Sequence, residues 1–428
     1  MARAQPRLSH LRVLGSRRHQ RGRRRQHGRV ALRRLRNIGR LFTGTPAGVI
    51  EGAAVICDGE EIAWCGKSGD EPRELLESLT DENDCGGGLV TAGLIDAHTH
   101  PVYAGDRLAE VAMRSAGATY SEIAKAGGGI VATVKATREE PISALEQATA
   151  RRLWNWLEGG ATTVEAKTGY HLQREGELEA TRLLARLAQR ADLPRIEITF
   201  LAAHALPPDR WARMSSYAKE VGEWCEDAYL AGARFCDVFC DRGYFSVPQT
   251  RSILRAALKA KLIPRIHADE LDRTGGARLA AELHAVSADH LLRANRADAI
   301  ALAGAGVVAT LAPGTALSIG KLPPVKELVE AGAVIALGTD HNPGTSGITS
   351  MSVVVALAVA VFKLSVERAL LAATLGGANS ISRSDRGVVA AHKLADLVLW
   401  EAEHEGAFAW AYGLKPRVVW LRGAQAFA

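Results

Sequence analysis

The 428-residue chain has no uninterrupted apolar run of about 18 residues, so a transmembrane helix is not expected. Its most apolar stretch, Met351 to Leu364, is too short to span a bilayer and carries Lys363 near its end. Cysteine is scarce. The six, Cys57, Cys65, Cys85, Cys225, Cys236 and Cys240, form no CxxC pair, which reads as reduced cysteine in a cytoplasmic protein. Acidic residues and Lys are missing from the first forty positions, where fourteen Arg stand. The net charge of +6 therefore hides a body with a net charge of −8. A segment such as "RRHQRGRRRQHGR" cannot bury apolar surface, so residues 1–34 are predicted to be a disordered Arg-rich extension. Such a composition also suits a transit peptide or a nucleic-acid-binding tail. The extension lacks interleaved aromatic residues and any known module, so neither a nucleic-acid partner nor a membrane partner is expected.

What is present is globular. Hydrophobic residues make up 47%, enough for one large domain or two smaller ones, and 42 glycines suit many tight loops between short elements. "IGRLFTG" and "GVIEGAAVICDGEEIAWCG" alternate as strands do, as do "GVVAAHKLADLVLWE" and "PRVVWLRGAQAF" near the other end. The middle repeats a short apolar run followed by an amphipathic helix. The runs are "LIDAHTH", "ATTVEAK", "IEITFLAAH", "ARFCDVFC", "PRIHADE", "HAVSADH", "GVVATLA" and "VIALGTD". Eight parallel βα units of this length predict an α/β protein: a (β/α)8 TIM-like barrel over 91–382. A small β-sandwich domain is expected from both chain ends, residues 35–90 and 383–428.

Potentially reactive side chains recur at the ends of these runs: His98 and His100, Lys167, His204, His267 and Glu270, His290, and Asp340. In a barrel all such ends open on one face. His98 and His100 are two apart, which on a strand puts both imidazoles on one side, where they can hold a divalent metal. His267 adds a nitrogen and Asp340 a carboxylate oxygen, a set that suits one Zn2+ or Fe2+/Fe3+ per subunit with a position left for water. Asp340 is placed to act as base, Glu270 to protonate a leaving nitrogen, and His290 to orient water or stabilise an oxyanion. Asp96 is read as a partner behind the ligands or a buried polar anchor rather than a fifth ligand, and Asp269 as a structural hydrogen-bonding residue. Lys167 admits two readings: a carboxylated lysine bridging two metals, or an ion pair with Glu165 or another acid.

HxH after the first barrel strand, a later His and a final Asp form the pattern of the amidohydrolase superfamily. The segments "HTHPVYAGDRLAE", "GATYSEIAKAGGGIVATVKATR", "TTVEAKTGYHL", "FLAAHALP", "DVFCDRGYFS", "IHADELDRTGGARLAAELHAVSADHL" and "GTDHNPGTSGITSM" together resemble the imidazolonepropionase family, from about Asn37 to Asp396. The resemblance implies hydrolysis by metal hydroxide of the ring amide C–N bond of 4-imidazolone-5-propanoate, a small-molecule substrate, to N-formimidoyl-L-glutamate in histidine degradation. It implies metal ligation by His98, His100, His267 and Asp340, and a grip by the Arg107 fork on the propionate carboxylate. Tyr120 and Tyr170 would line the pocket, and His204 would meet the ring. Glu270 would contact a ring nitrogen and shuttle a proton, while Asn342, Gly344 and Thr345 would close over the ligand. A homodimer is implied as well.

Arg107 also discriminates between functions, because a nucleobase deaminase has no carboxylate to bind there. Retention of all four ligands and Glu270 argues against a non-catalytic scaffold. Three positions depart from the family pattern. His171 stands where Gly is usual, so it would crowd the pocket, offer another ligand or mark a position that needs positive φ. Ala92 replaces a usual Pro, and "AAHKLADLVLW" lacks the Gly-Lys common before the final strands.

Overall fold

The computed structural model describes residues 32–117, 122, 126–207 and 213–427. Five strands come first: β1 (Leu32–Phe42), β2 (Val49–Asp58), β3 (Glu61–Lys67), β4 (Leu79–Asp84) and β5 (Leu89–Ala92). Eight more occupy the middle of the chain: β6 (Leu94–Thr99), β7 (Ala161–Lys167), β8 (Arg195–Ala203), β9 (Phe235–Cys240), β10 (Ile263–Ala268), β11 (Ser287–His290), β12 (Val308–Leu311) and β13 (Ile335–Leu337). The chain ends with β14 (Leu397–Trp400), β15 (Pro416–Leu421) and β16 (Ala424–Phe427).

Strands β6 to β13 lie side by side in sequence order, every neighbouring pair parallel. These are the eight expected runs. Nearly every residue in them is buried, because helices cover the outside while side chains fill the inside. The helix Ile142–Glu158 shows how: Leu145, Thr149, Leu153, Trp156 and Leu157 follow helical spacing and form its buried stripe. The barrel closes where the segment after β13 meets β6. Asp340 N donates to His98 O, and His100 N donates to His341 O, each at 2.9 Å, with a bridge between Thr99 and His341. Gly338 makes this approach possible: a Cβ there would lie 2.8 Å from the His98 Cβ and 3.0 Å from its backbone nitrogen.

The remaining eight strands form one hydrogen-bonded sheet, in the order β16-β15-β14-β5-β1-β2-β3 with β4 on β1. Both chain ends build it, as expected. They meet where β5 pairs antiparallel with β14 and parallel with β1. Its own core gathers Leu35, Ile38, Val55, Val90, Leu397, Leu399 and Trp420. Gly93 alone separates this sheet from the barrel, and the two are tied by Gly93 N to Asp396 O at 2.8 Å and by the Arg195–Asp396 ion pair at 2.7 Å. One expected boundary is corrected: Leu32 to Arg34 belong to β1, not to the Arg-rich extension. Arg33 pairs with Asp81 at 2.7 Å, and Arg34 with Glu71 and Glu82, so these cations are held in the sheet. Residues 1–31 of that extension lie outside the described residues.

Gly338→Ala tests the closure. Overpacking of this kind costs about 1–3 kcal/mol, so the thermal midpoint should fall. An unchanged midpoint would show that β6 can yield at this contact.

Candidate active site

The sides of β6 and β10 that face into the barrel carry polar residues at alternate positions, Asp96 and His98 with His100 directly after them on the first and Arg265 and His267 on the second, and the last of each series reaches the open end. His98 and His100 arrive from β6, His267 from β10, His290 from the tip of β11, and Asp340 three residues past β13. Two overlapping groups, His98–His100–His267 and His98–His290–Asp340, each bring their donor atoms within 4.8 Å of one another. Asp340 Oδ1 is 3.4 Å from His98 Nε2 and 3.3 Å from His100 Nε2. His267 Nε2 is buried and has no hydrogen-bond partner, the state of an imidazole nitrogen aimed at a cation. The donor set of three imidazoles and one carboxylate therefore fits a divalent metal.

Three of the four are oriented from behind, while His100 Nδ1 is buried without a partner. His98 Nδ1 lies 2.6 Å from Asp289 Oδ2, and His267 Nδ1 lies 2.9 Å from Asp237 Oδ2. Thr315 Oγ1 donates to Asp340 Oδ2 at 2.5 Å. His290 and Asp340 hold positive φ of 71° and 46°, strain that the packed surroundings maintain where these two side chains must point into the site. Burial and Lys167 push the His98 imidazole down, but Asp289 and Asp340 outweigh them and hold it up at about 9. The site thus favours positive charge, which a metal supplies. Burial lowers His267 to about 3 and His290 to about 4, so both rings are neutral at neutral pH. Burial, then the negative charges of Asp340 and Asp241, pushes Glu270 well above the ordinary carboxylate range and so favours its protonated form. Its Oε2 is 3.7 Å from His290 Nε2.

Above the ligands lies a cavity of about 600 Å³. Its walls include Arg107, Tyr170, His204, Glu270, His290, Asn342, Gly344 and Thr345. These expected residues come together with His100, His267 and Asp340; His98 is buried just beside them. Tyr120 lies outside the described residues. Arg107 differs from expectation in one respect. Its Nε and Nη2 engage Glu110 at 2.8 and 2.7 Å, so part of its fork is committed within the protein. Nη1 packs against Gly344, where a Cβ would come within 2.4 Å. Asn342 Oδ1 accepts the N–H groups of Gly344 and Thr345 at 2.7 and 2.8 Å and shapes that loop.

Lys167 is the ion-paired lysine of the second reading, 2.9 Å from Glu165 and 2.8 Å from Asp237. Asp96 is the expected anchor. It accepts from Thr339 N, Thr339 Oγ1 and Trp156 Nε1 at 3.0, 2.6 and 2.7 Å. Asp269 caps the turn after β10, accepting from the backbone of Thr274, Gly275 and Ala277. His171 neither lines the cavity nor needs positive φ; Leu172 carries that conformation, at 55°. The sequence reading missed Asp237, Asp289 and Glu110, and the apolar wall of Phe239, Tyr244, Leu271 and Ile319. Asp237 and Asp289 had a signal, since each stands on the inward side of an apolar strand. Glu110 lies in the first turn of the helix Leu108–Ser115, three residues after Arg107, which immediately precedes that helix, and that spacing pairs side chains.

Residues 266–424 match the amidohydrolase family. Curated relatives include the imidazolonepropionase of Cereibacter sphaeroides, 41% identical over 86% of this chain and 93% of that protein. Those of Cupriavidus pinatubonensis and Shouchella clausii are each 40% identical, over 88% and 86% of this chain and 90% and 83% of theirs. Among solved structures, a zinc complex of an atrazine chlorohydrolase from Arthrobacter aurescens superposes with a TM-score of 0.69 at 18% identity, over 92% of this chain and 94% of that one. An Aspergillus niger ochratoxinase gives 0.68 at 17%, over 92% and 95%. The solved structures share the fold. With about two-fifths of its residues shared across most of its length, the chain belongs to the imidazolonepropionase family.

Proposed function

We propose that the chain hydrolyses the ring amide C–N bond of 4-imidazolone-5-propanoate and releases N-formimidoyl-L-glutamate. The observation that carries this reading is one cavity with two chemistries on its walls. A guanidinium, Arg107, stands on one side, and the carboxyl of Glu270, pushed well above its usual range by burial, stands beside the His/Asp cluster. A substrate with a carboxylate arm and a cyclic amide meets both.

A metal ion held by His98, His100, His267 and Asp340, Zn2+ or Fe2+/Fe3+, would polarise the ring carbonyl and acidify a water. The residues do the rest. Arg107 sets the charge that draws the propionate arm, with Asn342, Gly344 and Thr345 shaping the wall beside it. Tyr170 and His204, whose rings are 5.1 Å apart, flank the heterocycle. Asp340, whose carboxyl is kept well below its usual range by His100 and His98 against the effect of burial, stays ionised and accepts the proton of the attacking water. His290, neutral, steadies the oxygen of the tetrahedral adduct. Glu270 gives its proton to the ring nitrogen as the C–N bond breaks, so the nitrogen leaves as a neutral amidine nitrogen while the carbonyl carbon becomes a carboxylic acid. The proposal includes a cytoplasmic location, supported by six free cysteines, and a homodimer, which a mass measurement in solution tests.

A spectroscopic assay of imidazolonepropionate consumption, with metal content measured on the same sample, tests the reading; absence of turnover by metal-loaded protein rejects it. His267→Ala should lose metal and turnover together. Glu270→Gln should retain metal while kcat falls about 100-fold or more; undiminished kcat would remove Glu270 from proton transfer. Arg107→Ala should lower kcat/KM for the carboxylate-bearing substrate. Gly344→Ala should reproduce part of that loss by displacing the guanidinium, and wild-type kinetics in that variant would count against the placement.

A further inference from the structure

Lys167 is fully buried at the end of β7, and no step of the reaction uses it. Its Nζ lies 2.8 Å from Asp237 Oδ2 and 3.5 Å from Asp289 Oδ2. The same two oxygens touch two different imidazoles: Asp237 Oδ2 is 2.9 Å from His267 Nδ1, and Asp289 Oδ2 is 2.6 Å from His98 Nδ1. Asp237 Oδ1 also accepts the His267 backbone N–H at 3.1 Å. Arg265 steadies Asp289 from another side at 3.2 Å and is itself anchored on the carbonyls of Ser380 and Ala97. One ammonium therefore joins two carboxylates, each standing behind an imidazole of the cluster. A carboxylate at Nδ1 fixes the ring and its tautomer and presents Nε2 to a metal.

We propose that Lys167 is a positioning residue, the shared cation that holds Asp237 and Asp289, and through them His267 and His98, at the spacing a divalent metal requires. It touches neither substrate nor metal. The inference rests on the four-ligand reading of the site and is independent of which cyclic amide is hydrolysed.

A lysine so close to a cation site could instead act only as a counterweight to surplus negative charge. The two roles differ in sign. Removing a counterweight strengthens cation binding, since a repelling charge is lost; removing a spacer weakens it.

The experiment is Zn2+ affinity of the full chain by competition with a chromophoric chelator, together with the visible spectrum of the Co2+-loaded protein. Lys167→Met should bind Zn2+ about 10–100-fold more weakly, with an altered Co2+ spectrum. Equal or tighter binding in a variant with unchanged circular dichroism overturns the proposal. If Lys167→Met does not fold, Lys167→Met/Asp237→Asn removes one charge of each sign. It should bind Zn2+ more weakly than Asp237→Asn alone, because the Asp289 arm is lost too, and equal or tighter binding again overturns the proposal. Wild type and His267→Ala are measured alongside; equal Zn2+ affinity in those two would defeat the metal assignment itself.

Discussion

Two backbone hydrogen bonds, Asp340 N to His98 O and His100 N to His341 O, close the barrel. Both run between segments that carry side chains of the His/Asp cluster, so the fold and the site share one seam. The segment after β13 cannot drift from β6 without moving Asp340 away from His98 and His100. Asp96 reinforces the same seam from within, binding both the backbone and the hydroxyl of Thr339. A His/Asp cluster spread over more than 240 residues of chain is thereby held to the tolerance of a hydrogen bond. Preorganisation of this kind lets the site hold the reacting groups without rearranging during the reaction.

The inside of the barrel follows from the same demand. Glu165, Asp237 and Asp289 face Lys167 and Arg265 with almost no contact with solvent. Burying charge is expensive, and removing one member of such a group typically costs about 3–5 kcal/mol. An apolar filling would hold the strands together more simply. It would not hold Nδ1 of His98 and His267, and an unheld imidazole rotates. The polar interior is thus explained by what stands at the top of the strands rather than by stability.

The eight strands were legible because parallel buried strands read as short apolar runs, and the ligands because they end those runs at inward positions. The carboxylates beneath were present in the same runs, "CDVFC" and "SADH". Their partners, though, are some 30 to 190 residues away, which no local pattern reveals. The start of β1 was misread for a related reason. Arg33, Arg34, Arg36 and Arg40 continue the composition of the preceding basic stretch. The acids that neutralise them, among them Asp81, Glu71, Asp84 and Glu405, come from β4, from the loop after β3 and from near the other chain end. That Arg107 shares its fork with Glu110 was not legible, because a partner three residues on is one that sequence spacing permits but does not require.

His171 shows how a departure from a family pattern is absorbed. The loop from Gly169 to Leu172 is shaped by Glu177, whose carboxylate accepts three backbone N–H groups, those of Gly169, His171 and Leu172, at 2.8–2.9 Å. That grip points Tyr170 into the cavity and His171 away from it. The imidazole of His171 then lies against Gly176, filling the place a side chain would take, since a Cβ there would come within 2.1 Å of its Nδ1. A ring at position 171 therefore presses on the helix Arg174–Leu187 and not on the substrate. Residue size at 171 is coupled to residue size at 176, while the position of Tyr170 depends on Glu177. A change at either 171 or 176 is accordingly a question of packing on the outer layer, separate from the chemistry that β6, β10 and the segment after β13 bring together.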